Sequence, residues 1–317
     1  MTSRYPKNRW SLALYRHQLT TYRLNNVING LFAAGNPPDG VVRFLDQRLA
    51  TELDIVSYGL AGAWRASESL SFGVGIAYVA GSVSSDTLAF AVDEFPATYF
   101  EANTFRDDRL YVASAFDVDA SDLGFSAGFL WSVAESWKVG GVFRQGPEFP
   151  YRLVNRAGPA SGLPVGTVIA SVTGRSIAFP DVYGLGVAYR SAGGSVTVGF
   201  EWDRVEYSSI VESLESPLSD IAHVAMDDAD ELHIGVEYVI LDSTPLIAIR
   251  LGGWRDPDHQ VRYLGDDPFA RAIYPPGEDA LHGALGFGIA FERFQLDLGV
   301  DFSTRVDTAA VSAIYSF

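Results

Sequence analysis

The chain has no cysteine, two methionines and only 23 lysines and arginines set against 39 acidic residues. Without cysteine there is neither a disulfide framework nor a thiolate metal centre. The formal net charge of −16 speaks against a nucleic-acid partner, whose phosphates call for a basic surface. No segment approaches the ~18 consecutive apolar residues that a spanning helix needs. The opening residues, MTSRYPKNRW, lack the basic start, apolar stretch and cleavage site of a secretory signal. The sequence is therefore expected to be N-terminally incomplete.

What is present is a large apolar content in an unusual arrangement. Of the 317 residues, 48% are hydrophobic and 13% aromatic, yet they are dispersed in alternation. The organising stretch is AFPDVYGLGVAYR-SAGG-SVTVGFEWDRVEY, residues 178–207. Tyr183, Leu185, Val187 and Tyr189 alternate with Gly184, Gly186, Ala188 and Arg190. After the turn, Val196, Val198, Phe200 and Trp202 alternate with Thr197, Gly199, Glu201 and Asp203. A period of two gives each strand one bulky face and one small or polar face. Large side chains on the outer face and glycine on the inner face are the pattern of a strand that meets lipid.

The same alternation predicts strands near 9–18, 52–65, 69–83, 110–133 and 137–154, and again in the last third, where Leu285, Phe287, Ile289 and Phe291 oppose Ala284, Gly286, Gly288 and Ala290. Residues 19–47 read as a polar connection around a helix-like piece, NNVINGLFAAG. Twelve strands result. Short turns at 65–69, 133–137, 190–195, 241–245 and 292–294 alternate with long loops at 19–47, 84–108, 156–167, 209–229 and 256–280. This asymmetry is that of an outer-membrane barrel, with short periplasmic turns and long external loops. The expected fold class is an all-β, transmembrane antiparallel β-barrel. Residues 1–317 form a single barrel domain.

Three segments carry a resemblance to a known family: NRWSLALYRHQL, VFRQGPEFPYRL, and FPDVYGLGVAYR with its DRVEYS-ending partner strand. Together they resemble the FadL/toluene-transporter family of outer-membrane channels for hydrophobic compounds. The resemblance implies 14 strands, an N-terminal hatch in the lumen and a location in the bacterial outer membrane. On this alignment the chain starts at the third strand, so the hatch and two strands would lie upstream. It also implies passive uptake of long-chain fatty acids or aromatic hydrocarbons, with no enzymatic activity and no cofactor. The terminal Tyr315 and Phe317 fit the signature by which such barrels engage the barrel-assembly machinery. Outer-membrane lipid and lipopolysaccharide are the expected surroundings. A hydrophilic porin and a non-transporting structural or adhesive barrel are the alternatives. The small inward residues Gly73, Gly75, Gly184, Gly186, Gly286 and Gly288 leave room for a plug or a greasy substrate, whereas a wide aqueous pore calls for charged rings.

Two groups of candidate site residues follow. Loop 84–108 carries Phe95, Tyr99, Phe100 and Phe105, an apolar set that is either a substrate-capture surface, shared with loop 156–167, or loop packing. Inward-facing Arg144 and Arg250 stand near mid-barrel, where one of them would meet the carboxylate of an acidic substrate. The competing role is pairing with lumen carboxylates such as Glu201, Glu237, Asp297 and Asp301. Lys138 and Arg190 fall at the periplasmic rim. His233 and His282 are expected to face inward from strands that are not neighbours. The five histidines show no ligand spacing such as H-x-x-x-H, so no metal site is expected. A serine hydrolase would need a nucleophile beside an oriented histidine, and nothing in the sequence singles one out.

Overall fold

In the computed structural model the described residues are 9–34, 41–93, 100, 104–214, 223–266, 270–271 and 274–315. Strands dominate. Fourteen belong to one antiparallel sheet: β1 (Trp10–Ile28), β2 (Asp46–Arg65), β3 (Leu70–Phe90), β4 (Leu110–Ala134), β5 (Trp137–Arg144), β6 (Glu148–Ala157) and β7 (Val168–Ala178) come first. They are followed by β8 (Val182–Arg190), β9 (Val196–Val205), β10 (Ala229–Ile240), β11 (Leu246–Asp256), β12 (Ala280–Ala290), β13 (Phe294–Ser303) and β14 (Thr308–Tyr315).

The ladder runs β1-β2-β3-β4-β5-β8-β9-β10-β11-β12-β13-β14, with β6 paired to β4 and β7. β4 is the key to this order. Its lower part, from Ser126, pairs with β5, while its upper part, up to Asp117, pairs with β6. β5 and β6 are thus two halves of one crossing broken at Gln145–Pro147, and β7 and β8 are two halves of another broken at Phe179–Asp181. Each break holds a proline, Pro147 or Pro180, which has no N–H for the ladder. Counted as crossings, the fourteen segments are the expected twelve. Along the described residues, β1 and β14 form the two ends of the ladder.

The alternation sorts the faces as expected. On β2 and β3 the outward Tyr58, Leu60, Trp64, Phe72, Val74, Ile76 and Tyr78 are exposed. Trp10 stacks on Trp64 (5.9 Å between centroids), and Trp137 leans on Tyr189 (5.0 Å), the last three beside short turns. This is the position of an aromatic girdle at a membrane interface.

Three expectations need correction. The strands run well past their apolar ends: β1 continues to Ile28, β2 begins at Asp46 and β3 ends at Phe90. Leu88 and Phe90 therefore sit in a strand and not in a loop. Ladder hydrogen bonds persist here, but segments such as Ser82–Asp86 alternate no apolar residues, so the period-two signal fades while the pairing does not. NNVINGLFAAG holds no helix among its described residues. Val27 and Ile28 complete β1, and Phe32–Ala34 pairs with Val41–Arg43 in a small hairpin. Finally, β7 occupies residues between the 156–167 loop and the 178–207 hairpin for which no strand is anticipated. The external connection after β9 carries a short helix, Ser208–Ser213.

Candidate functional site

The lumen is built in tiers. Inward positions of β5, β8, β9 and β10 include five glycines, which help to frame a cavity of about 610 Å³. Gly140, Gly184, Gly186, Gly199 and Gly235 form its floor, while Lys138, Glu201 and His233 give it polar corners. The glycines keep this wall one backbone thick, so the cavity is roomy and only sparsely polar.

Above the β5–β6 break the lumen side is different. Phe149 is fully buried and forms an apolar cluster with Ile55, Val79, Val118 and Tyr151. Its ring crosses to the β3 wall and lies over Gly81, where a Cβ would stand 2.6 Å from Phe149 Cε2. Phe116 stacks on Tyr151 (5.3 Å), and Phe179 meets Phe149 edge-on (5.6 Å). The break itself is held by carboxylates and stray backbone bonds. Gly146 N–H donates to Asp181 Oδ1 (2.8 Å), Glu148 N–H to Asp122 Oδ2 (2.8 Å) and Gln145 N–H to the Phe125 carbonyl (2.9 Å). Leu214, just after the helix 208–213, packs against the cluster from the external side.

Arg144 and Arg250 part company. Arg250 Nε donates to Glu237 Oε2 (2.7 Å) and Nη1 to Asp297 Oδ1 (2.6 Å), while Gln295 Nε2 holds the other Asp297 oxygen (2.7 Å). Its guanidinium lies across β12, where a Cβ at Gly288 would stand 3.1 Å from Nη1. Arg250 is thus neutralised within the wall. Arg144, at the β5 end of the break, is exposed and makes no ion pair among the described residues.

The loop residues also divide. Phe100 is 74% exposed and stacks on Phe32 (6.1 Å). Phe105 packs edge-on against Phe90 (5.2 Å), with the Arg48 guanidinium 4.7 Å above its ring. Phe95 and Tyr99 lie outside the described residues, as does Phe317. Leu163 and Val165 of the 158–167 loop are exposed. At the start of β2, Arg43 pairs with Asp46 (2.7 Å) with both side chains 1% exposed; Thr104 Oγ1 also donates to Asp46, and Gly30 N–H donates to Asp46 Oδ1 (2.9 Å).

Toward the external end of β9–β13 is a group that the sequence only half reveals. His233 and His282 both face inward, as expected, but Trp254 of β11 lies between them. Its ring stacks on His233 (5.1 Å, 10°) and on His282 (3.8 Å, 24°). His282 Nδ1 is 2.7 Å from Asp301 Oδ2. Asp203, Glu231 and Asp256 fill the same tier. Just above it Tyr207 stacks on His259 (4.2 Å), and burial, aided by the Glu231 and Asp256 charges, pushes its phenol up to about 12. Cross-strand register supplies what single-strand spacing hides: Asp203 faces Glu231, and His233 faces Trp254, which faces His282.

This architecture defines a transmembrane antiparallel β-barrel with a partly filled lumen. No protein-family model matches the chain. No curated protein matches it either. Solved structures do. A FadL homologue of Pseudomonas aeruginosa aligns at TM-score 0.60 and 14% identity, covering 98% of this chain and 73% of the homologue. The Pseudomonas putida toluene transporter TodX aligns at TM-score 0.55 and 14% identity, over 98% of this chain and 80% of the transporter. The monoaromatic hydrocarbon channel CymD gives 0.54 at 14% identity, over 97% of this chain and 87% of the channel. The FadL-type resemblance in the sequence is therefore matched at the level of the fold.

Proposed function

We propose that this barrel is an outer-membrane channel for passive uptake of hydrophobic small molecules, in the class of aromatic hydrocarbons or long-chain fatty acids. The observation that carries the reading is the lumen: a glycine-floored cavity of about 610 Å³ beneath an apolar cluster centred on Phe149. Apolar surface binds apolar solute through the release of water, at roughly 25 cal/mol per Å² buried. A hydrophilic porin needs an open, charged bore, whereas the Phe149 cluster makes the inner face of β2, β3, β4 and β6 apolar. The neighbours whose names state a cargo are toluene transporters and a monoaromatic hydrocarbon channel.

On this reading substrate first meets the exposed loop surface of Phe100, Leu163 and Val165, with Phe95 and Tyr99 on the same loop. An acidic substrate would then find Arg144, and not the already paired Arg250, as its cation. Lipopolysaccharide surrounds the external loops, and assembly proceeds through the terminal aromatic signature of Tyr315 and Phe317. The test is uptake of radiolabelled toluene and palmitate by proteoliposomes, run beside single-channel conductance. Solute uptake with small ionic conductance supports the channel. Large steady conductance with no hydrophobic uptake supports a porin.

A further inference from the structure

Two tiers of the β9–β13 wall solve the same electrostatic problem differently. In the lower tier Glu237 and Asp297 are joined by the Arg250 guanidinium. In the upper tier Asp203 and Glu231 are direct cross-strand partners, a like-charge juxtaposition that costs stability. Their side chains are only 16% and 15% exposed, and among the described residues the one ion-pair partner of either is His233. The Asp203 Oδ1 atom is buried with no hydrogen-bond partner.

We propose that Asp203, Glu231 and His233 form a binding site for a divalent transition-metal ion in the lumen wall. The geometry is that of a chelate. His233 Nε2 lies 3.3 Å from Glu231 Oε2 and 3.8 Å from Asp203 Oδ2, and one ligand atom from each residue lies within 4.8 Å of the others. Tetrahedral ligands at ~2.0–2.2 Å from zinc are separated by roughly 3.3–3.6 Å, so the site closes with small side-chain movements. The imidazole is already aimed. Its ring is clamped flat on Trp254, Trp254 is backed by His282, and His282 is held by Asp301. Such outer contacts fix ligand orientation in metal sites.

One imidazole nitrogen with two carboxylates favours Zn²⁺, Co²⁺ or Mn²⁺ over the all-oxygen preference of Ca²⁺ and Mg²⁺. His233 also borders the 610 Å³ cavity, so the remaining coordination position opens toward the lumen. The ion would do for the upper tier what Arg250 does for the lower one, neutralising two carboxylates of the lumen wall. The site does not depend on what the channel carries.

Titration of the full chain in detergent micelles with Co²⁺, followed by visible absorption and by Zn²⁺ competition, tests the proposal. One equivalent should bind. Affinity should fall by at least about tenfold, the scale for disrupted metal sites, in His233→Ala and in Asp203→Asn, and hold in His259→Ala, which alters a neighbouring histidine outside the ligand set. X-ray absorption of the Zn²⁺-loaded wild type, which no folding defect of a variant affects, should show imidazole scattering with oxygen neighbours. A wild-type affinity equal to that of an Asp203→Asn/Glu231→Gln/His233→Ala variant would overturn the proposal. So would a shell of oxygen alone, or equal loss in His259→Ala.

Discussion

Phe149 rests on Gly81 so closely that the smallest added side chain would collide with its ring. The pair joins β6 to β3 over the intervening strand β4. Phe149→Ala should open the bore and cost about 3 kcal/mol, the lower end for removing a buried phenylalanine. The checks are a raised single-channel conductance and a lower midpoint of urea unfolding in micelles. Gly81→Val should displace the ring and raise conductance similarly. Unchanged conductance in both variants would show that the cluster does not gate passage.

Arg250 is held by two carboxylates, so removing it leaves Glu237 on β10 and Asp297 on β13 without their shared cation. Arg250→Ala should lower stability by roughly 1–2 kcal/mol, below the upper range for hydrogen bonds to charged groups because the site is partly hydrated. Uptake of neutral toluene should be retained. Arg144→Ala should reduce palmitate uptake while sparing toluene, with little effect on stability. Equal loss of both solutes in Arg144→Ala would remove the acid-recognition role.

The loop aromatics should separate in the same way. Phe100→Ala removes an exposed ring, and burying such a ring against substrate is worth roughly 1.5–3 kcal/mol, so uptake at limiting toluene should fall about tenfold with folding intact. Phe105→Ala should instead loosen the contact with Phe90 and Arg48, seen as faster protease cleavage near residues 91–109. A Phe100→Ala, Phe105→Ala variant that transports normally at limiting substrate would reduce the patch to loop packing.

Acid should release external loops in a defined order. The Asp258 backbone N–H, with Arg255 beside it, holds Asp279 below the usual carboxylate range, and Arg262 does the same for Asp227. A carboxylate with a depressed folded pKa stabilises fully above its unfolded value near 3.8, and that stabilisation fades as pH falls through the lower folded value. Hydrogen exchange corrected for its intrinsic pH dependence should thus be flat in residues 223–227 and 255–280 from pH 7 to about 4.5 and rise below about 3.8, whereas Asp279→Asn should show the faster exchange around 255–280 already at pH 7. A rise centred near pH 6 would point to histidine control instead.

Much of this fold can be read from the chain because lipid imposes a period of two on every crossing. Tyr183 to Tyr189 and Leu285 to Phe291 reveal both face and register without a structure. The pattern fails where lipid ends: Ser82–Asp86 pairs as firmly as the apolar strands yet carries no alternation. The first break is half legible, since Pro147 has no N–H for the ladder, but nothing local shows Phe149 reaching Gly81 over β4. Arg250 and its two carboxylates could be nominated separately, whereas their joining depends on register. Trp254 between His233 and His282 was hidden for the same reason, because three strands supply one ring each.

The central claim is that the lumen passes hydrophobic solute and little else. Proteoliposomes loaded with an apolar-dye sink, carrying wild type or Phe100→Ala protein and given radiolabelled toluene and a hydrophilic sugar together, measure this directly. The account predicts saturable toluene entry, lowered about tenfold at limiting substrate in Phe100→Ala, with sugar entry near that of protein-free vesicles. Sugar entry as fast as toluene entry, unaffected by the loop substitution, would contradict it.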